Sequence, residues 1–92
     1  MALKLQLTRQ AGRFLKKLPP KQFKQVMNSV LSLLDNPKPH DSQQLRGSDR
    51  SNRRIDIGEY RIVYRIEGDS VLTLVIGKRN DDEVYKLLTR LE

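Results

Sequence analysis

The side chains in this sequence best suited to chemistry on a phosphate are four arginines, Arg54, Arg61, Arg65 and Arg79. Asp56 stands among them and Tyr85 follows six residues after the last. A guanidinium group forms forked hydrogen bonds with phosphate oxygens. It can neutralise charge that develops in a transition state, but it keeps its proton and cannot act as a general base. Proton transfer would then fall to Tyr85, whose phenol can act as a base or stack on a nucleobase. Asp56 is an alternative base, and His40 a weaker one from a loop. The same arginines also have a plainer use, because the exposed face of a half-buried sheet carries charge simply to stay solvated. There is no cysteine, and a single histidine cannot build a metal site alone. Disulfides, thiolate chemistry and histidine-held metals are therefore excluded, and no cofactor is expected.

Whether these groups meet depends on the strands that carry them. Tyr60, Ile62, Tyr64 and Ile66 alternate with Arg61, Val63 and Arg65, the period of a strand with one apolar face. Ile55 and Ile57 stand against Arg54 and Asp56 in the same way. Gly58-Glu59 and Glu67-Gly68-Asp69 are turn signals, and Val71 to Ile76 reads as a near-continuous apolar strand. Three strands joined so closely predict an antiparallel meander. Adjacent strands share faces, so Arg54, Arg61 and Arg65 are expected on one side of the sheet, with little to cover them. Arg79 follows just past Gly77-Lys78. Asp81 and Asp82 are expected to cap a last helix that buries Val84, Leu87, Leu88 and Leu91. Tyr85 lies off the centre of that stripe, where its ring can pack on the sheet or its phenol can turn back toward the arginines.

The first half supplies the other layer. Leu3, Leu5 and Leu7 alternate with Lys4 and Gln6, predicting a short strand. Thr8 is a plausible N-cap for a helix with the stripe Ala11, Phe14, Leu15 and Leu18, which Pro19-Pro20 stops. Pro20 can open a second helix with the stripe Phe23, Val26, Met27, Val30, Leu31 and Leu34, and Asn36-Pro37 ends it. Residues 38–44 read as a loop. The expected fold is one small α+β domain over residues 1–92, ordered β-α-α-β-β-β-α, with an antiparallel sheet packed on a helical hairpin. Leu91-Glu92 has the look of a tag junction. A chain of this length buries roughly two-thirds of its unfolded surface, so a partner that wraps it would add useful stability. No signal-peptide pattern is visible and no apolar run could span a bilayer, so a soluble, cytoplasmic protein is the default.

The charge is lopsided. Lysine and arginine number 18 against 11 acids, a formal +7. Residues 1–40 hold eight basic groups and one acid, Asp35, whereas residues 41–92 hold ten of each. A one-sided basic surface attracts polyanions, nucleic acid first and an acidic protein second.

Two stretches carry a resemblance. QLRGSDRSNRRIDIGEYRIVYRI, residues 44–66, and VIGKRNDDEVYKLL, residues 75–88, contain "LRG", "R-I-x-x-G-x-Y-R-x-x-Y", "GKR" and "EVY" in that order. In this respect the chain resembles the RelE/ParE toxin superfamily, over nearly its whole length. It looks closest to the RelE branch, because it keeps both the arginine of "GKR" and the tyrosine of "EVY". The resemblance implies the RelE/ParE microbial ribonuclease fold and a toxin of a type II toxin–antitoxin pair. It implies a ribosome-dependent, metal-independent endoribonuclease that cuts messenger RNA in the A site, through attack of the 2′-hydroxyl to give a 2′,3′-cyclic phosphate. Carried over by position, the catalytic candidates are Arg61, Arg79 and Tyr85, with Arg54 matched less tightly where the family type has lysine. Asp56 falls where the family has a second lysine, a departure that removes a positive charge. RNA contacts are expected from Lys16, Lys17, Lys24, Arg46, Arg65 and Lys78. The implied partners are a RelB-like antitoxin, the ribosome and messenger RNA, with operator DNA bound through the antitoxin. Two alternatives stand beside this: a ParE-like inhibitor of DNA gyrase that does not cut RNA, and a basic binding domain without catalysis.

Overall fold

The computed structural model describes residues 2–45, 51–80 and 83–91. Its elements are β1 (Lys4–Leu7), α1 (Arg9–Lys17), α2 (Pro20–Ser32), β2 (Gln43–Gln44), β3 (Arg53–Ile57), β4 (Tyr60–Glu67), β5 (Ser70–Lys78) and α3 (Glu83–Leu91). The strands form one sheet in the order β1-β5-β4-β3-β2.

Local chemistry sets the helix ends. The Thr8 hydroxyl caps α1 by accepting a hydrogen bond from the Ala11 amide at 3.3 Å, and donates to the Leu74 carbonyl at 2.5 Å. Pro20 sits in the first turn of α2, where its missing N–H has no intrahelical partner to lose. The resulting hairpin packs on one face of the sheet. There Ala11, Leu15, Val26, Val30 and Leu33 meet Ile55, Tyr60, Ile62, Tyr64, Val71 and Ile76. On the opposite face α3 places Val84 and Leu88 against Val63, Leu74 and Val75.

The meander is present as β3, β4 and β5, but the sheet is mixed rather than antiparallel. β1 lies parallel to β5, pairing Lys4 with Ser70 through Leu7 with Thr73. The apolar run of β5 explains this position. A strand apolar on both faces belongs in the middle of a sheet with a layer on each side, and β5 has the hairpin on one face and α3 on the other. A register shift between β4 and β5 at Val63/Tyr64 adds Leu74 and Val75 together to the α3 side.

Smaller differences follow from the same layering. The expected loop over residues 38–44 ends in β2, where Gln43 pairs with Arg54 and Gln44 with Arg53. α2 stops at Ser32, so Leu33 leaves the helical period and turns inward, while Phe23 and Leu31 stay exposed at 41% and 44%. Leu7 and Leu91 are also exposed, because the edge strand and the last turn of α3 have nothing above them among the described residues. The caps expected at Asp81 and Asp82 lie outside the described residues.

Side chains also extend the sheet beyond β1. Once the chain turns into α1, Gln10 pairs with both backbone groups of Ile76. Its amide nitrogen donates to the Ile76 carbonyl at 3.0 Å, and its oxygen accepts from the Ile76 N–H at 3.1 Å. This ties the α1 N-terminus to the end of β5 that carries Gly77, Lys78 and Arg79.

Candidate active site

The tight turn at Gly58-Glu59, with Gly58 at φ 57°, folds β4 back on β3 and sets Asp56 opposite Arg61. Across the next strand Arg61 pairs with Gly77. Three residues from three strands thus form one row, and Gly77 contributes no side chain to it. The gap is filled by α3: a Cβ on Gly77 would lie 2.6 Å from Cγ2 of Val84. The close approach brings the start of α3 down onto the row and delivers its next residue, Tyr85, to Arg61.

The contacts are short. Arg61 donates from Nε to Asp56 Oδ1 at 2.7 Å and from Nη2 to Asp56 Oδ2 at 3.1 Å. Its Nη1 donates to the Tyr85 hydroxyl at 2.6 Å, and its Cζ is 5.7 Å from the Tyr85 ring centroid. Arg54 donates from Nη1 to Asp56 Oδ2 at 3.4 Å and from Nη2 to Gln43 Oε1 at 2.7 Å. The Arg61 side chain is only 15% exposed and that of Asp56 30%, while Tyr85 is 36% exposed at the rim. Among the described residues no three or more histidines, cysteines, aspartates or glutamates group as a metal site, and no helix is long and apolar enough to cross a membrane.

Electrostatics follow this geometry. The hydrogen bond from Arg61 holds the Asp56 carboxyl below its ordinary range against the opposing effect of partial burial, with Arg54 and Arg79 adding attraction. Arg61 is pushed further up, chiefly by its bond to Asp56, and Tyr85 adds to the effect. Asp56 is thus a weak base whose oxygens are already engaged. The Tyr85 oxygen accepts from Arg61, so its own hydroxyl proton is directed elsewhere, with no acceptor for it among the described residues.

Arg79 enters through its backbone. Its N–H donates to the Glu59 carbonyl at 2.9 Å, which fixes the turn after β5 beside the β3–β4 turn. Its exposed side chain is near enough to act on the Asp56 carboxyl electrostatically. Arg54, Arg61, Arg79 and Tyr85 therefore share one neighbourhood. Arg65 does not join it: it is a further four residues along β4 and pairs with Glu67 at 2.6 Å. Lys78 pairs in register with Tyr60, whose ring faces the hairpin, so Lys78 is on the other side of the sheet from Arg61. Lys16, Lys17 and Lys24 are exposed on the hairpin, also across the sheet. Lys17 lines a groove of about 340 Å³ with Arg9, Gln10, Arg13 and Phe14. Arg46 lies outside the described residues. His40 is exposed in the turn before β2, and no contact among the described residues links it to the arginines. The sheet face is also less open than expected, because α3 covers its β5 half.

Gln10, Gly77 and Val84 set the position of this cluster, and none of them stands out in the sequence as a site residue. The signal for the last two is the glycine of "GKR", standing where a strand would ordinarily carry a side chain.

Comparisons with known proteins bear on the family and the fold. A family model of the ParE toxins of type II toxin–antitoxin systems (parDE) matches residues 5–83. No curated protein matches the chain. A doubly substituted form of the E. coli toxin RelE in the free state superposes with a TM-score of 0.80 at 24% identity, over 99% of this chain and 98% of that one. The toxin–antitoxin complex RelBE2 from Mycobacterium tuberculosis gives 0.73 at 27% identity, over 86% and 100%. The archaeal RelE–RelB complex from Pyrococcus horikoshii gives 0.74 at 21%, over 86% and 97%. The family match and the fold together define the class, a small toxin of the RelE/ParE superfamily. The chain belongs to the ParE toxin family of type II toxin–antitoxin systems.

Proposed function

We propose that this toxin is a RelE-like, ribosome-dependent endoribonuclease that cuts messenger RNA in the A site without a metal ion. The observation that carries the reading is the Arg61–Tyr85 hydrogen bond of 2.6 Å in a cluster with Arg54 and Arg79. Scaffolding alone does not require a phenol to be held on a mostly buried guanidinium in this way. In the reaction, the 2′-oxygen of the nucleotide before the cut attacks phosphorus. Its proton passes to a base, the P–O5′ bond breaks, and the 5′-oxygen takes up a proton. The products are a 2′,3′-cyclic phosphate and a 5′-hydroxyl. Arg61 and Arg79 neutralise the phosphorane, which is more highly charged than the starting diester. Tyr85 is the proton-transfer candidate, because the arginines cannot serve and Asp56 is engaged and weakly basic.

The remaining charge has a use in the same reading. Lys16, Lys17 and Lys24, with the Arg9–Arg13–Lys17 groove, would hold ribosomal RNA on the side of the sheet away from the scissile phosphate. A RelB-like antitoxin would neutralise the protein by wrapping it, as the M. tuberculosis and P. horikoshii relatives were solved in complex with theirs. Phe23 and Leu31 on α2, and Leu91 on α3, are apolar surface that such a partner can cover. The toxin–antitoxin complex would then bind operator DNA through the antitoxin.

One observation favours a second reading. The matching family model is that of ParE toxins, which supports a gyrase-directed inhibitor on the same scaffold. Induction of the protein in growing cells, followed by mapping of new RNA 5′-ends, separates the two. Cuts at a fixed position within translated codons support the nuclease. Intact messages with signs of DNA damage support the gyrase reading.

A further inference from the structure

Arg61 already holds an oxyanion. Asp56 presents two oxygens to the Nε–Nη2 edge of the guanidinium, at 2.7 and 3.1 Å. That forked edge is the one arginine offers to two phosphate oxygens. Arg54 binds the same carboxylate, and Arg79 acts on it from the turn after β5. Two guanidinium groups thus bind one carboxylate, and a third cation adds attraction to it.

We propose that Asp56 is a specificity-determining residue of the site: an internal anion that occupies the forked edge of Arg61 and must be displaced before a phosphate can be held there. Binding at Arg61 is then an exchange rather than a simple addition. A ligand anchored only through one phosphate gains little, because it replaces an anion that is tethered and pre-aligned. A ligand fixed by contacts elsewhere can drive the exchange, because its phosphate is already at high local concentration. Asp56 thereby makes the site poor at holding free anions and short RNA, and selective for RNA presented by a larger assembly. Its 30% side-chain exposure gives it somewhere to go once it leaves the guanidinium. The identity of the ligand as an RNA phosphate rests on the proposed function, while the exchange itself does not require cleavage.

The experiment measures binding of a short single-stranded RNA, blocked by 2′-O-methyl groups, by fluorescence anisotropy at fixed ionic strength. Four proteins are compared: the unaltered chain, Asp56→Asn, Asp56→Glu and Asp69→Asn. The Asp69→Asn protein is the charge control, because Asp69 pairs with Lys4 on the exposed far end of β5. That end is roughly 25 Å from Gly77 at about 3.3 Å per residue, beyond the Debye length. Asp56→Asn should tighten binding by roughly two- to fivefold, the ratio expected when a partly exposed ion pair no longer competes. Asp56→Glu should stay near the unaltered protein, and Asp69→Asn should change binding less than twofold. The Arg61 Nε–H resonance should shift on RNA addition to Asp56→Asn at concentrations that leave the unaltered protein unchanged. Equal or weaker binding by a folded Asp56→Asn protein, complete loss of binding included, overturns the proposal. So does a gain from Asp69→Asn as large as that from Asp56→Asn, which would make the effect one of net charge. Cleavage is not the readout, so a chain that proves inactive on ribosomes fails the nuclease reading and leaves this test intact.

Discussion

Substituting Gly77 by alanine tests the idea that a missing side chain positions the cluster. The added Cβ would lie 2.6 Å from Val84 Cγ2, whereas ordinary contact begins at 3.4 Å, so about 0.8 Å must be found. Val84 cannot easily rotate away, because a valine in a helix holds one χ1 rotamer about 90% of the time. Nor can it retreat into space, being fully buried against the sheet. The helix must therefore lift. If the whole shift fell along the Arg61–Tyr85 bond, the distance would grow from 2.6 Å to about 3.4 Å, at the limit of hydrogen bonding. Overpacking of this kind costs about 1–3 kcal/mol. Replacing glycine also restricts the unfolded chain, which returns about 0.4–1 kcal/mol. A net loss between about 0 and 2.6 kcal/mol is expected in denaturant unfolding, with faster amide exchange confined to α3. Displacement of a reacting group by about 1 Å can cost up to ~100-fold in rate, so activity should fall further than stability alone explains. Adding Val84→Ala should recover part of the loss, with a coupling of about 0.5–3 kcal/mol. Unchanged stability and unchanged α3 exchange in Gly77→Ala would refute the reasoning.

Three further outcomes are expected. Gln10→Ala leaves the buried Ile76 N–H and C=O without their side-chain partner and should cost about 1–3 kcal/mol in urea unfolding, whereas a loss below ~0.5 kcal/mol would mean that water replaces the amide. Because Asp56 is held below its ordinary value of 3.8, its contribution to stability is present above that pH and lost as the pH falls through its lower folded value. Unfolding midpoints should thus be insensitive to this pair from about pH 8 to 5 and decline in more acid solution, and Asp56→Asn should flatten that decline. Charge reversal at Lys16, Lys17 and Lys24 should weaken ribosome binding and lower its salt slope by roughly 0.7–0.9 for each phosphate no longer neutralised, and an unchanged slope would remove these lysines from the interface.

Strand parity makes much of the cluster legible in the sequence. The alternation of Ile55 and Ile57 with Arg54 and Asp56, and of Tyr60 and Ile62 with Arg61, is enough to put the three charged groups on one face. Both helices of the hairpin are readable for the same reason, since Thr8 and the Pro19-Pro20 pair mark their ends chemically. Long-range register is not readable in this way. Parity puts Arg65 on the Arg61 face, but only the register shows it separated and paired with Glu67. The parallel pairing of β1 with β5 joins residues more than sixty positions apart, and local pattern carries no record of it beyond the apolar run of β5. The approach of Gly77 to Val84 is likewise a matter of shape between separate elements. Asp56 is visible as a departure from the family pattern, but its two bonds to Arg61 need the strand pairing to be seen.

Single-turnover cleavage of a defined message on programmed ribosomes tests the central claim most directly. The unaltered protein should cut within the A-site codon and leave a 2′,3′-cyclic phosphate. Arg61→Ala should slow that step by roughly 10²–10³-fold, the usual effect of losing one group that stabilises a developing anion. Tyr85→Phe, which loses only the hydroxyl, should slow it as well. A message left intact by the unaltered protein, or cut at an undiminished rate by both variants, would contradict the account.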